Sequence, residues 1–236
     1  MSEPLIKLDN VHLTLTSRAG PVHILRGISL AIPAGQSTTI VGPSGSGKTS
    51  LLMVMAGLER ATSGRIAVAG HDLGPLSEDG LAMLRGAKMG IIFQSFHLVP
   101  TMTALENVAL PMELVGDANA FATARDLLEE VGLAARVEHF PAELSGGEQQ
   151  RVAIARALSR APDIIFADEP TGNLDGHTGR QIIDLLFSLR QRRNATLVIV
   201  THDDRLAAMT DRVIRMSDGS IVADEGTKHA IRAVSP

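Results

Sequence analysis

Two segments near the start of the chain, Leu5 to Leu15 and Ile24 to Ile32, alternate loosely between apolar and polar residues. Turn signals at Gly20-Pro21 and Pro33-Ala34-Gly35 bound the second, so the pattern predicts two opening strands with one face buried. Ser37 to Val41 is a short β-branched run that enters a Gly/Ser-rich loop, and Ser50 to Leu58 behind it has the apolar spacing of a helix. Ile91 to Phe93, Ile164 to Ala167 and Leu197 to Val200 are unbroken apolar runs of strand length, as expected of strands covered on both faces of a parallel sheet. Helices are predicted over Ala122–Val131, Gly147–Leu158 and Thr178–Arg193, where apolar residues recur at three and four. Residues 95 to 158 hold no strong strand pattern, so the middle of the chain reads as a helical insert in an α/β core. Past Gly226 the periodicity is lost, and 226–236 reads as a tail.

Composition narrows the class. In 236 residues there are 26 acidic and 22 basic side chains, which leaves no positive excess to neutralise a phosphate backbone, so no nucleic-acid partner is expected. The absence of cysteine excludes a disulfide framework, a zinc ribbon and thiol catalysis, and makes cytosol the default compartment. The longest apolar run, Leu51 to Leu58, is broken by Gly57 and falls far short of the roughly 20 residues of a membrane span. Met1-Ser2-Glu3-Pro4 has an acid and a proline where a secretory signal has basic residues and an apolar stretch.

The chemistry starts with Gly42-Pro43-Ser44-Gly45-Ser46-Gly47-Lys48-Thr49, which matches G-x-x-x-x-G-K-[ST] between a predicted strand and a predicted helix. Main-chain N–H groups of such a loop wrap a phosphate, the helix start adds partial positive charge, Lys48 adds a full one, and Thr49 offers a hydroxyl to Mg²⁺. By chance the pattern arises in on the order of one in a hundred chains of this length, so its strand and helix flanks make it specific. Asp168 and Glu169 end an apolar strand; in an alternating strand their side chains diverge, so Asp168 suits magnesium through its water shell and Glu169 suits accepting a proton from attacking water. Gln94 and His202 follow other presumed parallel strands, at the edge where α/β sheets bind ligands. Gln94 is placed to sense metal and water there, and His202 to bond the γ-phosphate. Ser145-Gly146-Gly147 opens the helix that runs to Leu158 and supplies a second anion-binding terminus, one more than a single nucleotide requires.

GPSGSGKT, Gln94, LSGGEQQR, IIFADEP, Gly172-Asn173-Leu174-Asp175 and His202 stand in the order seen in ABC transporter ATPase subunits. The chain resembles that family over nearly its whole length. Around FQSFHLVPTMTALENVALP and FADEPTGNLD it looks like the lipoprotein-release and macrolide-export subgroup of LolD, MacB and YbbA. The resemblance implies a P-loop NTPase (RecA-like) α/β core with an antiparallel β subdomain and an inserted α-helical subdomain. It implies one domain over 1–236, with 1–94 and 159–225 as nucleotide-binding core and 95–158 as the helical part. It extends the nucleotide contacts to Ser50 and implies ATP and Mg²⁺ as ligands, with Thr49, Gln94 and Asp168 toward the metal and Lys48, Gln94, Glu169 and His202 in catalysis.

Two partners are implied: a second copy in a head-to-tail dimer and a membrane permease. Each ATP is then shared by one phosphate loop and the other copy's Ser145, Gly146 and Gly147, with Asp175 crossing beside it. The permease holds the chain at the cytoplasmic face of the inner membrane, and its large extracytoplasmic domain takes lipophilic cargo. A nucleotide-gated clamp that holds a membrane partner without transport would have the same cassette. One departure stands out: the family stacks an aromatic residue on adenine from the end of the first strand, and counting places Leu15 there, which gives apolar contact without π-stacking.

Overall fold

The computed structural model describes residues 3–18 and 20–226, Asp204 by its backbone alone; residues 227–236 of the expected tail lie outside the described residues. The chain divides into two compact units, 1–85 with 196–236 and 86–195.

The first unit opens on an antiparallel sheet of four strands in the order β2-β1-β4-β5, formed by β1 (Ile6–Ser17), β2 (Gly20–Ile32), β4 (Ser63–Val68) and β5 (His71–Asp72). Ile6, Leu8, Val11 and Leu13 are buried. The step of three from Leu8 to Val11 is a bulge, with Asn10 at φ 47°, and it explains why the alternation is loose in the sequence. The parallel part of this unit has β3 (Ser37–Val41) between β8 (Thr196–Val200) and β9 (Arg212–Ser217), with β10 (Ser220–Gly226) antiparallel to β9. All five residues of β3 are buried, although three are polar. Ser37 shows how a strand tolerates that: its N–H and hydroxyl both donate to Asp211 Oδ2, at 2.8 and 2.7 Å, and its Oγ accepts from Asp211 N. Helix α1 (Lys48–Met55) buries Leu51, Leu52, Val54 and Met55, and α7 (Asp204–Ala207) is a single turn.

The chain passes from the first unit to the second within α2 (Glu78–Lys88). The second unit pairs β6 (Met89–Ile92) in parallel with β7 (Ile164–Asp168), in a register that sets Ile92 opposite Ala167. Between them come α3 (Ala104–Glu113), α4 (Ala120–Glu130) and α5 (Gly146–Leu158), with two short 3₁₀ turns, and α6 (Gly176–Arg193) follows β7. No strand lies between residues 95 and 158 among the described residues, as the absence of a period-two pattern predicts. Phe166, the largest fully buried side chain, and the apolar positions of α5 and α6 form this unit's core.

Candidate functional site

In the first unit, β3 delivers the loop Gly42–Gly47 and α1 begins at Lys48. A Cβ at Gly42 would sit 2.2 Å from the Met216 carbonyl and 2.8 Å from Ser46 Oγ, so no side chain fits there. Gly47 is the α1 N-cap at φ 93°, and a Cβ on it would lie 2.9 Å from the Ile24 carbonyl. The Lys48 ammonium is drawn into its own loop and donates to the carbonyls of Gly42 and Pro43, at 2.9 Å each. Ser46 Oγ is buried without a hydrogen-bond partner, a cost of about 1–3 kcal/mol that an incoming acceptor relieves. No side chain caps α1, and its first turn has no acid, so the terminus keeps its positive potential. The group that fits a buried ammonium, an orphaned hydroxyl and an uncapped helix start is a phosphate.

β3 and β8 are parallel, with Ile40 opposite Val200, and Thr201 N donates to Ile40 O at 3.1 Å. The phosphate loop and His202 therefore leave the same edge of adjacent strands, and His202 is exposed. Leu15 is also exposed, at 41%, on β1 opposite Val22.

In the second unit, Gln94 and the carboxylates leave the matching ends of β6 and β7. Asp168 is the last residue of β7, whereas Glu169 lies beyond it at φ 44°. Strand alternation therefore does not set the relation of the two carboxylates, because the backbone leaves the strand for the left-handed region at Glu169. Gly172 N donates to Glu169 O at 3.0 Å, and three residues later Asp175 caps α6 through Oδ1, which accepts from His177 N and Thr178 N. Bonds from the Thr178 side chain and N–H, then from His177 N–H, lower the Asp175 pKa to about 2.

Ser145 caps α5 in a complete capping box. Its Oγ accepts from Glu148 N, while its own N–H and hydroxyl both donate to Glu148 Oε2 at 2.8 Å. These bonds from Ser145, with a further one from Arg136, hold the Glu148 carboxyl below its ordinary range. The sequence reading missed two contacts on the segment after β6. Arg156 donates to the carbonyls of Phe96 and His97 at 2.7 and 2.6 Å, and Asn173 is hydrogen-bonded to Gln94 twice. The signal for Asn173 in the sequence is its place in the Gly172–Asp175 run, beside Asp175.

The described residues contain no group of three or more His, Cys, Asp or Glu side chains that could hold a metal ion by itself. None of their helices is long and apolar enough to cross a membrane.

Comparison with known proteins agrees with this geometry. Residues 25–172 match the family model described as ABC transporter. The chain is 46% identical over 222 residues to the uncharacterized ABC transporter ATP-binding protein YbbA of Escherichia coli K12, covering 93% of this chain and 97% of YbbA. It is 48% identical over 205 residues to the lipoprotein-releasing system ATP-binding protein LolD of Geobacter metallireducens, covering 86% and 91%. Over 221 residues it is 45% identical to the macrolide export ATP-binding/permease protein MacB of Shigella flexneri, covering 93% of this chain and 34% of MacB. Among solved structures, the ATP-binding cassette MJ0796, dimeric and bound to ADP and Pi in a post-hydrolysis state, superposes with a TM-score of 0.88 at 38% identity, covering 94% of this chain and 99% of that one. The chain belongs to the ABC transporter family of ATP-binding proteins.

Proposed function

We propose that this chain is the ATP-hydrolysing subunit of a membrane complex that exports or extracts lipophilic cargo. It works as one ABC ATPase domain, with 1–94 and 159–225 forming the nucleotide-binding core and 95–158 the helical subdomain. The observation that carries the reading is the phosphate loop, where Lys48 is buried on its own loop carbonyls beside the orphaned Ser46 hydroxyl. Residues 42–50 hold the phosphates of ATP, Leu15 touches the base, and Glu169 takes the proton of the attacking water while His202 bonds the γ-phosphate.

Magnesium suits the remaining set, because Thr49, Asp168 and Gln94 offer a hydroxyl, a carboxylate and an amide oxygen, all hard donors, and phosphate oxygens complete the shell. When bound, it neutralises charge that develops on the phosphates. The dimeric MJ0796 cassette supports a working dimer of two copies, in which Ser145, Gly146, Gly147 and Asp175 reach the partner's nucleotide. MacB, whose name joins ATP-binding and permease functions in one protein, supports a permease partner that holds this chain at the cytoplasmic face of the inner membrane. LolD, named for lipoprotein release, supports the class of cargo.

The test is Glu169→Gln. Hydrolysis should fall by about a hundredfold or more, the usual worth of a general base, while ATP affinity stays within about twofold. A variant that keeps more than about a tenth of the wild-type rate would place the base elsewhere. Reconstitution with its membrane permease should raise turnover and move a lipidated substrate; binding without movement would favour the clamp.

A further inference from the structure

The amides of Gln94 and Asn173 are joined twice. Asn173 Nδ2 donates to the main-chain carbonyl of Gln94 at 2.9 Å, and Gln94 Nε2 donates to Asn173 Oδ1 at 3.3 Å. Beneath them Gly172 approaches so closely that a Cβ there would lie 2.8 Å from Gln94 Nε2 and 3.1 Å from its Cδ. The glutamine side chain is thus laid against the turn that runs from Glu169 to the α6 cap.

Donor and acceptor chemistry fixes which way round each amide faces. A main-chain carbonyl only accepts, so Asn173 must turn its NH₂ toward Gln94 O. Asn173 Oδ1 then faces the glutamine side chain, and an amide oxygen also only accepts. Gln94 must therefore spend Nε2 on Asn173, which leaves Oε1 as the end of the amide turned to other partners. A free glutamine has no such preference, and with Nε2 outward it would offer a donor, which repels a cation.

We propose that Asn173 is a positioning residue that sets the amide orientation of Gln94, so that Oε1 and not Nε2 is presented to magnesium and the attacking water. The inference rests on the reading of Gln94 as a metal-facing residue and adds the group that makes it one. It also links two stretches with separate tasks, because the turn that starts at the proposed base and ends at Asp175 carries the amide that orients Gln94. Both residues are exposed, so each bond is worth a modest amount, and the bias in orientation is about five- to tenfold rather than absolute.

Asn173→Ala removes both bonds, and Asn173→Leu removes both while keeping the shape of the side chain. Binding of Mn²⁺ in the presence of a non-hydrolysable ATP analogue, followed by electron paramagnetic resonance, reads the effect without turnover. Both variants should bind Mn²⁺ about five- to tenfold more weakly, with metal-free affinity for the analogue within about twofold of wild type and with the melting temperature lowered by no more than about 2–4 °C. The Mg²⁺ concentration for half-maximal hydrolysis should rise by the same factor. Gln94→Glu offers an oxygen whichever way it turns, so in that background Asn173→Ala should change Mn²⁺ affinity by less than about twofold. Wild-type Mn²⁺ affinity in both Asn173 variants, or an equal loss in the Gln94→Glu background, would overturn the proposal and leave the ATPase reading standing. Failure of the wild-type protein to bind the analogue at all would overturn that reading itself.

Discussion

Helices α1 and α5 both begin at a turn rich in serine and glycine, and their first turns are completed in opposite ways. At α1 the N-cap is a glycine with no side chain to give, the first turn has no acid, and the nearest charge is the ammonium of Lys48. At α5 the serine caps, and the Glu148 carboxylate takes both donors of Ser145 while paired with Arg136. An anion arriving at α1 finds donors waiting, whereas one arriving at α5 must displace a carboxylate already in place. Glycine-rich helix starts are therefore not equivalent anion sites; what the side chains have already satisfied decides the difference. On the proposed reading the α1 terminus is the standing phosphate site, and the α5 terminus is a site only for a phosphate that brings other contacts with it, as a nucleotide held by a second copy would.

The largest expected effect separates the two ends directly. Lys48→Ala should weaken ATP binding to the isolated chain by roughly ten- to a hundredfold, the worth of charge-assisted bonds to phosphate. Ser145→Ala should leave that affinity within about twofold, since the serine is proposed to serve the other copy. Calorimetry on the two variants breaks the comparison if they lose affinity alike. Stability should rank them the other way. Ser145→Ala removes the α5 cap, a loss of about 1 kcal/mol or roughly 2–4 °C in melting temperature. Glu148→Gln keeps an oxygen for Ser145 and loses only the charge, about half a kcal/mol in stability, and should tighten the ATP-dependent dimer.

The sequence made the parallel-strand ends legible because β3, β7 and β8 are buried on both faces and read as unbroken runs. The strands β4, β9 and β10 escaped notice for the opposite reason, being partly exposed, with charged residues such as Arg65, Arg212 and Arg215 inside them. Helix α3 was hidden by Pro111, which lies inside it, although Thr103 and Glu106 form a capping box whose T-x-x-E spacing was there to be read. The start of α1 was predicted two residues late, because Lys48 and Thr49 belong to the loop motif and to the helix at once. Of the site, residue types and order were legible. The left-handed backbone at Glu169 and the pair of hydrogen bonds between Gln94 and Asn173 were not, and the second joins residues 79 positions apart in the chain.

Acid titration extends the comparison to a third helix start. Asp175 caps α6 with a folded-state pKa of about 2, below its ordinary 3.8. Its stabilising contribution is therefore complete above about pH 4 and is lost as pH falls toward 2. Asparagine at this position caps without titrating. Urea denaturation at several values from pH 5 to 2.5 should show wild type losing its advantage over Asp175→Asn across that window, and a constant difference would contradict the cap. The smallest effect concerns the base. Leu15 reads no base edge, so ATP and GTP should compete within about tenfold, and Leu15→Tyr should improve ATP affinity about fivefold through stacking.

The central claim is that the two helix starts serve one nucleotide from opposite chains, and mixing two inactive variants tests it most directly. In a head-to-tail dimer of Lys48→Ala with Ser145→Ala, one site carries both lesions and the other carries neither. Each variant alone should hydrolyse ATP at a few per cent of the wild-type rate or less, on the order of the loss expected when half of the phosphate donors are missing. An equal mixture should recover roughly a quarter of the wild-type rate per chain, because half of randomly formed dimers are mixed and each mixed dimer has one intact site of two. Recovery near that value, rising with protein concentration, is the predicted result. An equal mixture no more active than the variants measured separately, under conditions in which wild type dimerises, would contradict the account.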